Sequence, residues 1–379
     1  MTSPVEIRQV SGKSDLDSFI RLPWTIYRHD PAWSPPLILE RREHLNPDKN
    51  PYFQHAEAAL WLAYRDGACV GRISAQICRL HLEAHDNTSG QFGFIEAIDD
   101  AEVFSALFEA AADWLRQRGM RRMLGPFNFS INDEMGLLID GFDEPPRILM
   151  SHARPYYQDR IEALGLTKAK DVYAYDYMLR SEFPPAAKAV MARAAKQGKI
   201  EIRPMNKADF KNEIALVVDI FNDAWSENWG FVPMTDAEVQ VMADNLKLLV
   251  TGGFGQIASV DGEPAAMLVS LPDVNHTIRD LNGRLLPFGW AKIIWRLKIR
   301  KPTQGRIPLM GVRKKFQHGV LGAGLALRLI EAIDAYHGPR GAKRAELSWV
   351  LEDNGPMNAL AKLVGAKPYK TYRIYERQL

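Results

Sequence analysis

The chain repeats itself at a fixed spacing, and this repeat limits the folds that it can adopt. The strand-like segment 5–8 has a counterpart in 200–203, 195 residues later. An Asp-Gly pair between two strand-like runs is a strong signal for a β-hairpin. Such pairs occur at Asp66-Gly67 and, at the same offset, at Asp261-Gly262. Landmarks kept in order predict a duplicated unit rather than a chance resemblance of short segments.

Each half reads as a strand, helices, a hairpin and then alternating strands and helices. Apolar periodicity predicts helices over 101–118 and 324–336. Strands joined to covering helices form an α/β layer. We therefore predict an α/β fold of two tandem domains, each a mixed, mostly antiparallel sheet covered by helices. The predicted domains are residues 1–180 and 200–379, joined by a linker helix within 181–199.

Composition excludes several classes of protein. The 379 residues are 46% hydrophobic and 25% charged, which is typical of a globular chain and not of a disordered or collagen-like one. The net charge of +2 gives no general attraction to nucleic acid, so no nucleic-acid partner is expected. Two cysteines make no disulfide framework, and His81 and His85 lack a third ligand at a recognisable spacing, so no metal site is expected. Without a signal peptide or an apolar run of 18 residues, we expect a cytoplasmic protein.

A glycine-rich turn in the second half connects a strand to a helix. The run 313–325 follows the apolar strand 307–312 and contains Gly319, Gly322 and Gly324. Glycines let a ligand approach the backbone closely, and the free amides at a helix start bind phosphate. A Walker loop is excluded because no Gly-Lys-Ser/Thr follows. The alternative is a tight turn that only packs the helix on the sheet.

This turn, and a following strand that ends at Glu352-Asp353-Asn354, make residues 200–379 resemble the GNAT superfamily of N-acyltransferases. The resemblance implies that the turn holds the pyrophosphate of coenzyme A, that the asparagine contacts its pantetheine arm, and that the thioester lies where two strands splay apart. A coenzyme A thioester is then the co-substrate. The implied binding residues are Met310, Val312, Gln317, Gly319, Gly322, Ala323, Gly324 and Asn354.

Two features depart from the family pattern. The family commonly has a tyrosine seven residues after the asparagine as general acid for the leaving thiolate, and that position is Ala361 here. The first half lacks the glycine turn and carries Glu96, Asp99 and Asp100 at the equivalent place. Carboxylates there would repel a phosphate. We therefore expect coenzyme A in the second half only.

Amine attack on a thioester needs donors for the oxyanion and a base for the ammonium proton. Backbone N–H groups of strand 309–312 are expected to meet the oxyanion. Alternation along strand 343–351 puts Glu346 and Glu352 on one face if the strand stays extended, which makes both candidate bases. Acids at a solvated strand end or at a helix cap are the alternative. Tyr372 is the fallback acid, and the alternative for it is a core aromatic.

Two further segments are rich in groups that could contact an acceptor. Segment 125–136 is dense in small polar side chains at a strand end, although such residues more often form turns or helix caps. Segment 223–231 combines tryptophans with polar residues. The candidate substrate-binding residues are Glu134, Asn132, Trp225, Asn228 and Trp229.

The second half differs from the first by an insertion around residues 280–305. Segment 285–316 contains nine Lys or Arg and no Asp or Glu. A basic, Trp-bearing amphipathic helix is typical of contact with an anionic membrane. A helix packed on its own domain, or attraction of the 3′-phosphate of coenzyme A, are the alternatives. The apolar stripe of this helix consists of Trp290, Ile293, Ile294 and Leu297.

Over its whole length the chain resembles a family of bacterial tandem acetyltransferase-like proteins that includes the bacterial ceramide synthases, through segments 125–136, 223–231, 346–354 and 370–376. The resemblance implies an acyl-CoA-dependent N-acyltransferase acting on a long-chain or lipid-like amine, with a sphingoid base the best single guess, at the inner face of the membrane. The rival interpretations are an aminoacyl-tRNA-dependent transferase of duplicated fold and a non-catalytic binding or regulatory protein.

Overall fold

The computed structural model describes residues 3–179, 182–247 and 253–379. Its contacts divide the chain into two compact units. Unit 1 comprises Met1–Val172, Ile278–Gly289 and Lys370–Leu379, and unit 2 comprises Tyr173–Thr277 and Trp290–Tyr369. The expected boundary between residues 180 and 181 lies outside the described residues, and the domain limits stay a prediction.

Unit 1 holds most of the first repeat. Its helices are α1 (Gly12–Ile26), α2 (Ile38–His44), α3 (Arg79–Ala84), α4 (Ala101–Arg116) and α5 (Tyr156–Glu162). Its strands are β1 (Glu6–Gln9), β2 (Ala56–Arg65), β3 (Ala68–Cys78), β4 (Ser89–Ala97), β5 (Arg122–Gly125), β6 (Phe127–Asn128), β7 (Glu134–Met135), β8 (Leu137–Asp140) and the first part of β9 (Thr167–Met178).

Unit 2 holds most of the second repeat. Its helices are α6 (Pro185–Ala194), α7 (Phe210–Trp225), α8 (Asp236–Lys247), α9 (Val274–Ile278), α10 (Gly289–Ile294), which continues as a π-helical turn over Trp295–Arg300, α11 (Gly319–His337) and α12 (Gly355–Leu363). Its strands are β10 (Ile200–Pro204), β11 (Gly255–Val260), β12 (Glu263–Pro272), β13 (Gln304–Val312), β14 (Arg344–Leu351) and the start of β15 (Lys367–Gln378).

The strands of both units pair in the same order. β1 to β4 form an antiparallel series, and β4 pairs in parallel with β5. β10 to β13 repeat that series, and β13 pairs in parallel with β14. Helices α4 and α11 occupy the same place in the two series, directly after the fourth strand. The predicted mixed, mostly antiparallel sheet covered by helices is confirmed.

The two hairpin turns have the same backbone conformation. Asp66 and Gly67 have φ values of 51° and 76°, and Asp261 and Gly262 have 51° and 86°. A two-residue turn with positive φ at both positions matches the twist of the flanking strands, and Asp-Gly favours that conformation. The dipeptide that indicated the repeat therefore fixes the β2–β3 and β11–β12 registers.

The last strand of the chain belongs mainly to unit 1. Residues of β15 pair with β5, as Tyr375 with Gly125, and with β8, as Tyr372 with Leu138. The buried ammonium of Lys370 donates hydrogen bonds to the carbonyl oxygens of Gly141 and Glu144, at 2.5 and 2.6 Å. These contacts make residues 370–378 part of the sheet of unit 1.

The core of unit 2 lies between the sheet and its helices. Apolar residues of α11, among them Leu325, Leu329 and Ile333, are almost completely buried against the sheet and α6. Within the described ranges, no helix combines the length and the apolar character needed to cross a bilayer.

Candidate active site

The parallel strands β13 and β14 separate along their length. Their paired residues run from Gln304 with Arg344 to Ile307 with Leu347. Beyond those pairs β13 continues to Val312 and β14 to Leu351. A gap therefore opens toward the carboxyl ends of the two strands, at the place where the resemblance put the thioester.

The backbone of β13 presents alternate residues to this gap. The N–H of Arg313 donates to the carbonyl oxygen of Ala265, on the neighbouring strand β12, at 2.8 Å. Because hydrogen-bonding direction alternates along an antiparallel strand, the N–H and C=O groups of Met310 and Val312 face away from β12. Both of these predicted coenzyme A contacts therefore direct their backbone amides at the gap.

Two side chains meet the carbonyl oxygens on that edge. The indole Nε1 of Trp225 donates to the oxygen of Met310 at 3.1 Å. The amide of Gln317 donates to the oxygen of Val312 at 2.7 Å and to that of Ala224 at 3.3 Å. Trp225 and Gln317, predicted for substrate and coenzyme A respectively, thus lie against the same stretch of β13 and leave its N–H groups to a ligand.

Tryptophan rings form part of the surface beside the gap. Trp225 and Trp349 are in edge contact, with ring centroids 5.3 Å apart. Asn228 follows in the turn after α7, where its N–H donates to the carbonyl oxygen of Trp225 at 2.8 Å. Asn228 and Trp229 are half-buried. The structure therefore brings Trp225 to β13 and places Asn228 and Trp229 in the turn that follows it.

Helix α11 begins at Gly319, five residues earlier than predicted. The glycines that the sequence pattern assigned to a loop lie in the first turns of this helix, so each has different structural surroundings from those predicted. Gly319 is exposed with a φ of +67°, and a Cβ on Gly322 would lie 2.5 Å from the carbonyl oxygen of Gln317. A Cβ on Gly324 would lie 2.1 Å from the Cβ of Ala194, so Gly324 is small because α6 packs against it.

The first turn of α11 is open, whereas that of α4 is closed. Among the described residues no side chain accepts the first amides of α11, whose cap residue is His318. In α4 the carboxylate of Asp100 accepts the N–H groups of Glu102 and Val103, at 2.9 and 3.3 Å. Free amides and the helix dipole favour an anion at α11, and a carboxylate already occupies that position at α4.

The basic residues beside this turn are engaged by acids. Arg313 pairs with Asp219, Lys314 with Glu227 and Lys315 with Glu263. Exposed pairs of this kind contribute little to stability, and they reduce the net charge that the sequence alone indicated. The backbone amides, rather than these side chains, are therefore the groups of the turn that remain available to an anion.

Glu346 lies in a buried polar cluster on β14. The hydroxyls of Ser348 and Tyr369 donate to its two oxygens, and the Nε of Arg306 lies 3.7 Å from Oε1. Arg306 also donates to the Ser348 hydroxyl at 2.8 Å. Only 1% of Glu346 is exposed, whereas Tyr369 is half-buried. A carboxylate that accepts these donors is held in one orientation.

The other two candidate catalytic residues lie elsewhere. Glu352 follows the end of β14 in the turn before α12, so the strand does not extend to it as the alternation required. Tyr372 belongs to unit 1, where it is fully buried, and a Cβ on Gly136 would lie 2.9 Å from its Cβ. Tyr369, which sequence analysis missed, is the tyrosine that contacts Glu346. The sequence signal that could have identified Tyr369 is its position at the start of the aromatic closing strand.

Asn354 caps helix α12. Its side-chain oxygen accepts the N–H of Met357 at 3.1 Å. The residue lies three positions after the end of β14, at the carboxyl end of the gap. This capping bond fixes the side chain and stabilises the helix start, so the predicted pantetheine contact is held in place by a structural hydrogen bond. Ala323 is half-buried in the second turn of α11.

Glu134 and Asn132, the remaining substrate candidates, belong to unit 1. Glu134 Oε1 lies 3.1 Å from the guanidinium of Arg41, and Oε2 accepts from Asn128 at 3.1 Å. Burial alone would raise the pKa of Glu134, but the Arg41 charge and the Asn128 hydrogen bond outweigh it, so the pKa lies below its usual value. The N–H of Asn132 donates to the Ser130 hydroxyl at 3.1 Å. Glu134 is therefore an ionised, positioned carboxylate and a poor proton acceptor.

Within the described part of the chain, no group of three or more His, Cys, Asp and Glu side chains is arranged to hold a metal ion.

Comparison with solved structures gives the same architecture. A tandem GNAT protein from the clavulanic acid biosynthesis pathway superposes with a TM-score of 0.56 at 12% identity, covering 99% of this chain and 98% of that one. A GCN5-related N-acetyltransferase from Sphaerobacter thermophilus superposes with a TM-score of 0.53 at 13% identity, covering 100% and 97%. At such identities these likenesses establish the fold alone.

Two relatives match at the level of sequence, whereas no family model matches. Protein YghO of Escherichia coli is 46% identical over 375 residues, covering 98% of this chain and 95% of that protein. A protein of Caulobacter vibrioides named bacterial ceramide synthase is 44% identical over 371 residues, covering 98% and 96%. The chain belongs to the tandem GNAT-like N-acyltransferase family that includes the bacterial ceramide synthases. It is accordingly an enzyme, an N-acyltransferase, as the resemblance implied. The separating strands β13 and β14 and the glycine-rich start of α11 are the features that the resemblance implied.

Proposed function

We propose that the protein transfers an acyl group from an acyl-coenzyme A thioester to the amine of a lipid-like acceptor, and that a sphingoid base is the best candidate acceptor. The observation that carries the donor half of this proposal is the open first turn of α11 beside the gap between β13 and β14. The Caulobacter relative named bacterial ceramide synthase supports the acceptor. The site roles below are proposals as well.

The donor would lie along β13 with its pyrophosphate at α11. The amides of Gly319 and of the residues after it would bind the phosphate oxygens. The pantetheine arm would then follow the free N–H groups of Met310 and Val312 into the gap, with Asn354 on the other side. The same turn in unit 1 is filled by Asp100, so the donor binds one unit only.

The reaction would proceed by direct attack of the neutral amine on the thioester carbon. A carbon–nitrogen bond forms, the carbonyl oxygen becomes an oxyanion held by a β13 N–H, and collapse breaks the carbon–sulfur bond. Coenzyme A leaves as a thiolate, which is stable enough to leave unprotonated near neutral pH. The ammonium proton would pass to the half-buried Tyr369 hydroxyl while that hydroxyl delivers its own proton to Glu346.

The insertion would bring the enzyme to its acceptor. Among the described residues, six of the nine large apolar side chains that are exposed occur between residues 286 and 299. Lys298, Arg300 and Lys301 of the same segment are exposed cations. Apolar side chains next to cations suit an anionic lipid surface. The predicted stripe needs one change, because Leu297 is 5% exposed and packs inward, while Ile299 is 69% exposed.

The test is direct N-acylation. The purified protein is incubated with palmitoyl-coenzyme A and sphinganine in vesicles of phosphatidylglycerol and phosphatidylcholine, and ceramide and free thiol are both quantified. Equal amounts of the two products are expected. Activity with aminoacyl-tRNA instead of the thioester would contradict the donor. Turnover of short water-miscible amines at the same rate as sphinganine would contradict the lipid acceptor alone.

A further inference from the structure

Unit 1 contains an open cavity of about 630 Å³ that has no part in the proposed chemistry of unit 2. Its walls come from the end of α1, the segment that follows it, and residues 279–282 of the insertion. This volume lies within the range that small-molecule sites occupy. The insertion segment is absent from the first repeat's own sequence, so unit 1 acquires this wall from the second half of the chain.

Three aromatic rings line the cavity in fixed orientations. Trp33 is in edge contact with Trp24, with centroids 5.2 Å apart, and stacks on Tyr27 at 5.3 Å. The Trp24 indole donates to Asn282 Oδ1 at 2.6 Å, and the Tyr27 hydroxyl donates to buried Glu96 at 2.6 Å. Each ring is anchored by a hydrogen bond or a stacking partner, so the apolar walls are rigid.

The insertion is closely packed where it forms its wall. The N–H of Ile38 donates to the carbonyl oxygen of Gly283 at 3.1 Å. A Cβ on Gly283 would lie 2.7 Å from the Trp24 ring, and its φ of +80° is one that glycine adopts easily. Glycine at this position lets the segment approach Trp24, and this approach brings Arg279 to the cavity.

The charges at the cavity do not cancel. The carboxylate of Asp30 is already engaged by neighbouring donors. It accepts hydrogen bonds from His152 at 3.0 Å, from Arg154 at 3.1 Å and from the N–H of Ala32 at 2.8 Å. Arg28 and Arg279 also line the cavity. Across residues 3–179, 182–247 and 253–379, no ion pair or hydrogen bond joins a carboxylate to the guanidinium of Arg28 or to that of Arg279. The cavity therefore carries an excess of two positive charges beside aromatic walls.

We propose that this cavity binds the phosphate group of a ligand whose body is flat or apolar, with Arg28 and Arg279 holding the phosphate and Trp24 and Trp33 contacting the body. A guanidinium donates two parallel hydrogen bonds to phosphate oxygens. A phosphate monoester carries a charge of about −1.5 to −2 near neutral pH. Two guanidinium charges therefore match a phosphate monoester better than they match a single carboxylate. The phosphate could belong to a free molecule or to a phospholipid headgroup, because both present the same oxygens.

The experiment titrates the full-length protein by calorimetry with phenyl phosphate, which carries a flat ring, and with inorganic phosphate. A third arm measures sedimentation with vesicles of phosphatidylglycerol against vesicles of phosphatidylcholine. Arg28→Gln and Arg279→Gln remove charge from exposed or half-buried side chains and should leave the fold intact, as thermal melting will check. Arg284→Gln is the matched control, since it removes an exposed arginine of the same segment that does not line the cavity.

Each cavity variant is expected to weaken phenyl phosphate binding at least about tenfold, while Arg284→Gln leaves it unchanged. Loss confined to the vesicle arm would identify the headgroup as the source of the phosphate and would support the site equally. The proposal would be overturned if the wild type bound none of the three probes. It would also be overturned if the Arg28 and Arg279 variants bound all three as tightly as the wild type does. Neither result bears on acyl transfer, because no arm of the experiment measures acylation.

Discussion

The hydroxyl of Tyr369 donates a hydrogen bond to Oε2 of Glu346, whose other oxygen accepts from Ser348. The two residues are 23 positions apart in sequence, and both lie in unit 2, Glu346 on β14 and Tyr369 at the start of β15. A buried carboxylate with a tyrosine on one oxygen and a serine on the other can accept a proton through either hydroxyl. This relationship makes Glu346, rather than Glu352, the base that we test first.

Glu346→Gln keeps the size of the side chain and removes its charge. If Glu346 accepts the ammonium proton, turnover per folded enzyme should fall by about 10²- to 10⁴-fold while donor affinity stays the same. Steady-state kinetics with a binding titration of coenzyme A separates the two quantities. Glu352→Gln is the matched control and should stay within a few-fold of wild type. Full activity of Glu346→Gln would show that the base lies elsewhere.

Tyr369→Phe removes only the hydroxyl. A proton relay through Tyr369 predicts a fall in turnover of at least about tenfold with unchanged donor binding. Tyr372→Phe is the comparison, because Tyr372 lies buried in unit 1 and should affect stability more than turnover. The reverse pattern, with Tyr372→Phe slow and Tyr369→Phe normal, would restore the assignment that the sequence suggested.

Gly322→Ala tests the anion site at α11. The added Cβ would lie 2.5 Å from the Gln317 carbonyl oxygen, so the backbone of the first turn must move. We expect coenzyme A affinity to fall at least about tenfold, which is about 1.4 kcal/mol. Gly338→Ala, at the other end of the same helix, has open space for its Cβ and should bind normally. Equal loss in both variants would indicate general helix damage instead of a local site.

The membrane contact depends on exposed side chains of the insertion. Ile294→Ser with Ile299→Ser should weaken sedimentation with anionic vesicles even at low salt. Lys298→Glu, Arg300→Glu and Lys301→Glu should weaken it further, by about 1 kcal/mol for each charge removed. Arg296 is left in place because it donates to the Thr277 carbonyl oxygen. Val241→Ser, on α8, is the control for an exposed apolar residue outside the segment. Wild-type protein that ignores anionic vesicles would contradict the contact.

His81 makes the stability of unit 1 sensitive to acid. Burial, together with the nearby His85 and Arg122 charges, lowers the pKa of His81 from 6.5 to about 4. Between those two values the unfolded chain binds a proton that the folded chain does not, so the free energy of unfolding falls as the pH falls. The loss across this window is about 3 kcal/mol.

Urea unfolding at several pH values measures this dependence. His81→Phe should show a shallower decline between pH 6.5 and pH 4 than the wild type. His29→Phe, which replaces an exposed histidine, should follow the wild-type curve. Parallel curves for all three proteins would contradict the assignment to His81.

The sequence predicted the parts of the fold that rest on local patterns. Asp66-Gly67 and Asp261-Gly262 indicated both hairpins, because the turn conformation depends on two residues alone. The start of α11 was placed five residues late, because glycines are weak helix formers and their pattern resembles a loop. The close approach of α6 explains why position 324 is a glycine, because an added Cβ would lie 2.1 Å from the Cβ of Ala194, and no local signal contains that contact.

The candidate site was predictable only where its groups are consecutive in the chain. Glu346 was found from strand alternation, but its partners Arg306 and Tyr369 come from β13 and β15. Arg306 read as one more cation of the basic insertion, although it is 2% exposed and bonded to Ser348. Burial of a charged residue depends on partners that distant pairing supplies, and a single sequence does not reveal them.

The membership of Lys370–Leu379 in unit 1 has a consequence for synthesis of the protein. Most of unit 1 is synthesised before unit 2, but the strand that pairs with β5 and β8 follows unit 2 in the chain. Until residues 370–379 emerge, the sheet of unit 1 has an unpaired edge, and such edges favour aggregation. A chain cut before residue 370 would therefore leave β5 and β8 without their partner strand, so that a change late in the sequence damages the unit that is made first.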